Sequence, residues 1–354
     1  MQTDNFNYNL PRELIALHPP KERGNARLLV MDRTSGKLYE RVYADFTNYL
    51  SAGDVVILND TKVIPARIIT HKKNNLAKRE LVLLESHGRQ DNWHIHKALY
   101  RGHINRGDVL LTEDQTELFV TEVLDDGVIL ISSRITLLEV ANKNGQTPLP
   151  PYLNRDAEPD DKYRYQTIWA KEEGSVAAPT ASLNLTNEVI DKLTAQGVVV
   201  TYATLHVGLG TFLPIRTNDL AQHVMHKEYF VVPAVTIGAI RRAKENGKKV
   251  IAIGTTITRT LEYAAEEIMS GSGEEISGDA DIFIYPGYKF KLVDGLLTNF
   301  HAPKSSVLML AAAFAGWDNL KSAYNYAIEK RYNFLSYGDS MFIKDIAGLE
   351  ERSE

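Results

Sequence analysis

Thr204-Leu205-His206-Val207-Gly208-Leu209-Gly210-Thr211-Phe212 follows directly on Val198-Val199-Val200-Thr201-Tyr202-Ala203. The earlier run is β-branched, is bounded by Gly197, and reads as a buried strand. The nine residues after it hold an imidazole, two glycines and a threonine hydroxyl, so they read as a polar loop at the strand's C-terminal end. Open α/β sheets bind their ligands at such ends. Upstream, Asn187 to Gln196 has helical spacing, with Thr186 as N-cap and Gly197 closing it. Taken alone, a glycine-rich turn around a hydrogen-bonded histidine explains the loop equally well.

The same strand-then-polar-loop unit recurs outward from this point. Asp54-Val55-Val56-Ile57-Leu58 runs into Asn59-Asp60-Thr61. Lys249 to Ile253 runs into Gly254-Thr255-Thr256, which opens a helix through Glu262. Amides and hydroxyls at a helix start make an anion site, with a plain N-cap as the competing explanation. Leu296 to Asn299 reads as the last core strand and runs into Phe300-His301-Ala302-Pro303. One such loop says little, but strand ends after Leu58, Ala203, Ile253 and Leu297 would line a common crevice, which points to an enzyme.

Further strands are expected at Arg27 to Asp32 and Asp281 to Tyr285. Helices are expected at Leu10 to Ala16, Asp45 to Leu50, Pro233 to Asn246, 305–315 and 318–331. Residues 271–278 read as a Gly/Ser/Glu loop, and Tyr332 to Asp339 reads as the end of the fold.

Between Ala66 and about Arg134 the pattern changes. Short runs at 66–71, 80–86, 93–100, 108–111, 117–124 and 128–133 read as strands with no helix between them. Six short strands predict a small barrel inserted into the α/β chain. The expected fold is therefore an α/β domain, 1–62 and 145–354, with an open mixed or parallel sheet flanked by helices. Residues 63–144 form the expected inserted β-barrel domain. The stretch from Lys62 to Arg106 carries ten Lys or Arg against three acids, a candidate surface for a phosphate backbone or a solvated basic face without a partner.

The chain has 354 residues, 44% of them hydrophobic, enough for a sizeable core. It has no cysteine, which excludes disulfides, thiol nucleophiles and cysteine metal sites. No secretory signal and no membrane span are expected from its apolar patterning. The net charge of -5 argues against a globally basic nucleic-acid binder and leaves room for local basic patches. His94 and His96 alternate on one strand without a third ligand nearby, and His223, His226 and Glu228 do not have the zinc-protease spacing. No metal site is expected.

Together the motifs resemble a known family. Asn59-Asp60-Thr61-Lys62-Val63-Ile64-Pro65-Ala66-Arg67, Pro148-Leu149-Pro150-Pro151-Tyr152 and Val176-Ala177-Ala178-Pro179-Thr180-Ala181 carry part of the likeness. Thr204 to Phe212, His226-x-Glu228-Tyr229, Gly254-Thr255-Thr256, Thr298-Asn299-Phe300-His301-x-Pro303-x-Ser305 and Ser336-Tyr337-Gly338-Asp339 carry the rest. In this order, over nearly the whole chain, they look like the S-adenosylmethionine:tRNA ribosyltransferase-isomerases of queuosine synthesis. The resemblance implies transfer and isomerisation of the ribosyl group of S-adenosylmethionine onto 7-aminomethyl-7-deazaguanine at the tRNA wobble position. Epoxyqueuosine forms, and adenine and methionine leave. It implies S-adenosylmethionine as co-substrate with no other cofactor and a tRNA with a GUN anticodon as partner. A cytoplasmic protein is expected, with a monomer as the default oligomeric state.

The strand-end pattern and the resemblance together place His206, His301 and Asp339 as catalytic residues. They place Asn59, Thr61, Arg67, Pro179, Thr180, Asn184, Gly208, Gly210, Thr211, His226, Glu228, Gly254, Thr255, Thr256, Arg259 and Asn299 as substrate-binding residues. His206 is the first candidate for the base and His301 the second. The chain departs from the family at one place: Ala-Pro-Thr-Ala-Gly-Leu-His-Phe-Thr is here Ala178-Pro179-Thr180-Ala181-Ser182-Leu183-Asn184-Leu185-Thr186. Asn184 still hydrogen-bonds but does not transfer a proton near neutrality. Those two positions suit the alternative, a divergent relative that binds tRNA or a nucleoside without this activity.

Overall fold

The computed structural model describes residues 1–88, 91–208, 210, 215 and 217–346. The chain opens with two short 3-10 turns, then β1 (Arg27–Asp32) and β2 (Leu38–Val42). β3 (Val55–Asn59) and β4 (Thr61–Val63) lead into β5 (Arg67–Lys72), β6 (Lys78–Leu83), β7 (Ile95–Arg101), β8 (Val109–Leu111), β9 (Glu117–Val123) and β10 (Val128–Ser132). α1 (Leu137–Asn144), β11 (Gly145–Gln146), α2 (Asp161–Arg164) and β12 (Glu172–Ser175) return the chain. Next come α3 (Asn187–Ala195), β13 (Val199–Leu205), β14 (Glu228–Val232), α4 (Ala234–Glu245), β15 (Val250–Ile253), α5 (Thr255–Tyr263) and α6 (Ala265–Ser270). The last elements are β16 (Ile276–Ala280), β17 (Gly295–Asn299), α7 (Ser306–Ala315), α8 (Trp317–Glu329) and β18 (Ser340–Lys344).

Among the described residues, nine strands form one mixed sheet in the order β16-β14-β13-β3-β15-β17-β18-β1-β2. β13, β3, β15 and β17 run parallel, and β18 is antiparallel to β17 but parallel to β1. Side chains alternate between faces along a strand. Val55 and Ile57 of β3 therefore join one core with Val250, Ala252 and Leu296, under α4, α5, α7 and α8. Val56 and Leu58 join a second core with Ile251, Ile253 and Leu297, under α3 and the 3-10 segment Tyr43–Tyr49. Burial on both faces is why these strands read as continuous apolar runs.

The second sheet closes on itself. β5, β6, β7, β10, β9 and β8 pair in that order, and β8 returns to β5 through His71 opposite Leu111 and Lys72 opposite Leu110. Ile68, Leu81, Ala98, Leu118 and Ile129 fill the barrel, and Leu137, Val140 and Ala141 of α1 cover it. The sequence reading left α1 out, although Thr136 and Glu139 form the capping box that starts it.

Other expectations need correcting. Asp281 to Tyr285 is not a strand; the strand is β16, inside the stretch read as a loop, and it pairs with β14 at the sheet edge. Its outer side faces water, so Ser277 and Asp279 are exposed and no apolar run marks it. Asp339 does not end the fold, and β17 is not the last core strand: β18 enters between β17 and β1, all five of its residues buried. Its flanking Ser340 and Lys344 hid a three-residue apolar run. Leu10 to Ala16 makes only the turn Arg12–Leu14, behind Pro11. No helix among the described residues is long and apolar enough to cross a membrane.

Candidate active site

Because β3, β13, β15 and β17 are parallel, their C-terminal ends share one edge of the sheet. Gly254, at φ +94, turns the chain from β15 straight into α5, a conformation L side chains rarely adopt. This brings Thr255 and Thr256 to the start of the helix. They face Pro179, Thr180, Asn299 and His301 across a cavity of about 80 Å³. Thr180 Oγ1 donates to Asn299 Oδ1 at 2.8 Å, and Asn299 Nδ2 approaches the Asp339 carbonyl at 3.4 Å. Tyr152, Thr298, Leu335 and Ser336 complete the wall. The sequence reading gave these four no role, although Tyr152, Thr298 and Ser336 stand in the motifs that carry the family likeness.

His301 is held on three sides. Its Nε2 lies 2.8 Å from Thr298 Oγ1, its amide donates to the Tyr324 hydroxyl at 2.9 Å, and its carbonyl accepts from Tyr8. Burial pushes its pKa down from 6.5 to about 3, so the ring is neutral at pH 7. Tyr152 and Ser336 share a hydroxyl hydrogen bond, and burial pushes the Tyr152 phenol up to about 12.

His206 lies beside this cavity rather than in its wall; Val207, one residue on, is the wall residue. The His206 ring stacks near Tyr229, with 6.1 Å between centroids, and its amide donates to the Tyr229 carbonyl. Its Nδ1 meets Thr61 Oγ1 at 2.8 Å. A Cβ on Gly174 would sit 2.9 Å from its Nε2, so the ring is packed against the return strand β12. Burial lowers its pKa to about 4. Asn59 spends its amide on the backbone: Oδ1 accepts from Leu205 N and Thr61 N, and Nδ2 donates to the Leu205 carbonyl at 3.0 Å. It clasps β3 to β13 and, among the described residues, reaches toward the crevice only through Thr256, at 3.4 Å.

On the far side of the loop, Gly208 N donates to Glu228 Oε1 at 3.0 Å, and Glu228 Oε2 pairs with Arg259. Arg259 also donates to the Ala280 carbonyl at 3.2 Å, while its Nε, buried, has no partner among the described residues. Glu228 and Arg259 adjoin the main cavity through Thr255 and Thr256. A Cβ on Gly210 would collide with the His226 ring, so close approach explains that glycine. Thr211 lies outside the described residues.

Several expected site residues do not line the crevice. Arg67 pairs with Glu80 at 3.1 Å and Asp156 at 2.9 Å, beside a separate trough between the barrel and Pro148 to Pro151. The Asp339 carboxylate accepts from Arg27 N at 2.8 Å and Asn333 N at 2.7 Å, and so staples the loop before β18. Asn184 is buried and faces the Gly338 carbonyl, and Ser182 is buried beside it. Among the described residues no three His, Cys, Asp or Glu side chains converge on a metal position.

A family described as queuosine biosynthesis protein matches residues 3–343. The S-adenosylmethionine:tRNA ribosyltransferase-isomerase of Pelodictyon phaeoclathratiforme is 51% identical over 346 residues, covering 97% of this chain and 100% of that protein. The protein of the same name from Chlorobaculum parvum is 51% identical over 345 residues, with 97% and 100% covered. The crystal structure of S-adenosylmethionine tRNA ribosyltransferase from Thermotoga maritima is 32% identical and covers 96% of this chain and 99% of that one, with a TM-score of 0.55. The chain belongs to the queuosine biosynthesis protein family.

Proposed function

We propose that this protein transfers and isomerises the ribosyl group of S-adenosylmethionine onto 7-aminomethyl-7-deazaguanine at the tRNA wobble position. Epoxyqueuosine is the product, and adenine and methionine are released. The observation that carries this reading is the convergence of Thr180, Thr255, Thr256, Asn299 and His301 on one cavity, in a chain whose relatives carry this activity in their names. Removing a proton beside the sulfonium calls for a neutral acceptor in the crevice. His206 and His301 are both neutral at pH 7, and of the two only His301 lies in the wall; its position, against the loss of basicity that burial brings, gives it the role of base in this proposal ahead of His206. The unspent Arg259 Nε is the donor suited to the methionine carboxylate.

The partner is a tRNA with a GUN anticodon, met in the cytoplasm by a monomer. S-adenosylmethionine serves as co-substrate and no other cofactor takes part. The α/β domain, 1–62 and 145–354, holds the co-substrate. The barrel domain, 63–144, meets RNA. Lys72 is not part of that surface: it is 5% exposed and pairs with Asp108 at 2.6 Å, and Lys73 pairs with Glu117. Lys78, Arg79, Arg101 and Arg106 form the better candidate, since no carboxylate among the described residues lies within ion-pair distance of them. Ser182 and Asn184, the positions that suit the alternative of a binder without activity, are buried and are not among the residues that line the cavity.

The test is incubation with S-adenosylmethionine and tRNA bearing the aminomethyl base, followed by mass analysis of the nucleosides and assay of adenine. Adenine release that depends on the modified tRNA is the expected result. Binding of that tRNA with no release of adenine would support the alternative.

A further inference from the structure

Glu85 follows β6 and carries its carboxylate out of the barrel onto the polar loop after β13. The residue is 8% exposed. A Cβ on Gly208 would lie 2.5 Å from its Oε1 and 2.8 Å from its Oε2, so the carboxylate rests on the loop backbone. Its own amide favours the ionised form, and among the described residues no N–H, O–H or cation of another residue bonds to it. Glu228 approaches Gly208 from β14, and its carboxylate is engaged by Gly208 N and Arg259. Two carboxylates thus share the surroundings of Gly208 with one guanidinium. His87 and Lys97, on the barrel, act on Glu85 only through their fields. Burial and the neighbouring Glu228 both disfavour ionised Glu85. A carboxylate buried with so few donors is costly, and proteins keep such groups where a ligand completes them.

We propose that Glu85 is the receptor for the primary ammonium of the modified RNA base and makes the enzyme select a base that carries one. The inference rests on the ribosyl-transfer reading above. S-adenosylmethionine also offers cationic groups, but the position of Glu85 favours RNA. β6 begins at Lys78 and Arg79, two of the unpaired cations of the barrel surface. Six residues of extended chain separate Arg79 from Glu85, roughly 20 Å, a span of several nucleotides. A strand held by its phosphates at one end of β6 would present a base at the other. The carboxylate then gains a charge-assisted bond with an ammonium that a neutral substituent cannot form.

The test compares two anticodon stem-loop RNAs, bound in the absence of S-adenosylmethionine so that nothing turns over. One carries 7-aminomethyl-7-deazaguanine, and the other carries the neutral 7-cyano analogue. Wild type is expected to bind the aminomethyl RNA about tenfold or more tightly. Glu85→Gln should bind both alike, at the level of the cyano RNA. Affinity for S-adenosylmethionine, read by calorimetry, should be unchanged. A full preference surviving in Glu85→Gln, or no preference in wild type, overturns the proposal. So does a loss of S-adenosylmethionine affinity with the RNA preference intact, which would assign the carboxylate to the co-substrate. If Glu85→Gln does not fold, Glu85→Asp decides: a reduced preference supports the proposal and an unchanged one overturns it. Adenine release by wild type on the aminomethyl RNA is scored separately, and its absence would count against the ribosyl-transfer reading itself.

Discussion

The Thr61 hydroxyl lies 2.8 Å from His206 Nδ1 and joins two strand ends 145 residues apart in the chain. That bond fixes the imidazole where the end of β13 meets the start of β4 and leaves the crevice wall to Val207. A histidine used this way supports its loop, whereas His301 stands in the wall itself.

Two substitutions separate these roles. His206→Asn keeps a group where Nδ1 meets Thr61, so ribosyl transfer should stay within about fivefold of wild type, with a lowered melting temperature. His301→Gln keeps a group where Nε2 meets Thr298 but removes the proposed proton acceptor. Its rate should fall by about 10²–10⁴-fold while S-adenosylmethionine binding is retained. Single-turnover rates and melting curves on the same preparations check both. A large rate loss confined to His206→Asn would return the base to position 206.

Both histidines make stability depend on pH. Their folded pKa values, about 4 for His206 and about 3 for His301, lie below the unfolded value of 6.5. The unfolded chain therefore binds protons that the folded one refuses. The stabilisation is complete above about pH 6.5 and is lost as the pH falls toward the folded values. By pH 5 each histidine should cost roughly 2 kcal/mol. Denaturant midpoints between pH 7 and pH 5 should drop accordingly, and His301→Gln should flatten part of the slope. An equally steep slope in that variant would show that His301 is protonated in the folded protein.

Asp339 offers a contrast between support and catalysis. Its carboxylate holds Arg27 N and Asn333 N, and the loop between them and β18 carries Leu335 and Ser336 into the crevice. Asp339→Ala leaves two inward-facing amides without acceptors and should destabilise the fold by about 2–4 kcal/mol. Assayed well below its lowered melting point, the variant should recover most of its activity. Persistent inactivity in a fully folded variant would restore a catalytic role.

Much of this was legible because the central strands are buried on both faces. Val55 to Leu58, Val250 to Ile253 and Leu296 to Leu297 have no polar residue to interrupt them, and polar side chains begin where each strand ends. Thr255, Thr256, Asn299 and His301 were therefore grouped at strand ends from sequence, while Thr180 was reached through the motif that carries the family likeness. β18 was not, because Lys344 closes it; the chain buries that lysine by donating its Nζ to the Tyr49 carbonyl, a contact no local pattern encodes. Glu85 entered only as one of the three acids in the basic stretch, because its contact with Gly208, over a hundred residues away, has no local signal. The basic tally over 62–106 counted charges without their partners, and Arg67, Lys72 and Lys73 proved to be paired.

The same distinction yields a prediction for RNA binding. A cation already paired with a buried carboxylate neutralises no phosphate, whereas an unpaired surface cation releases a counterion when RNA arrives. Replacing Lys78, Arg79, Arg101 and Arg106 singly with alanine should lower the slope of log affinity against log salt by about 0.7 each, the value for single strands. Affinity should fall alike for modified and unmodified RNA, because phosphate contacts carry no base information. Lys72→Met should behave differently. It strands Asp108, whose carboxylate is held below its usual range partly by the Lys72 hydrogen bond. The melting temperature should therefore fall while the salt slope stays at its wild-type value. Fluorescence titrations at four or more salt concentrations, with melting curves alongside, read both quantities. Unchanged slopes in all four alanine variants would move the RNA surface off this end of the barrel. A reduced slope in Lys72→Met would mean that the Lys72–Asp108 pair opens when RNA binds.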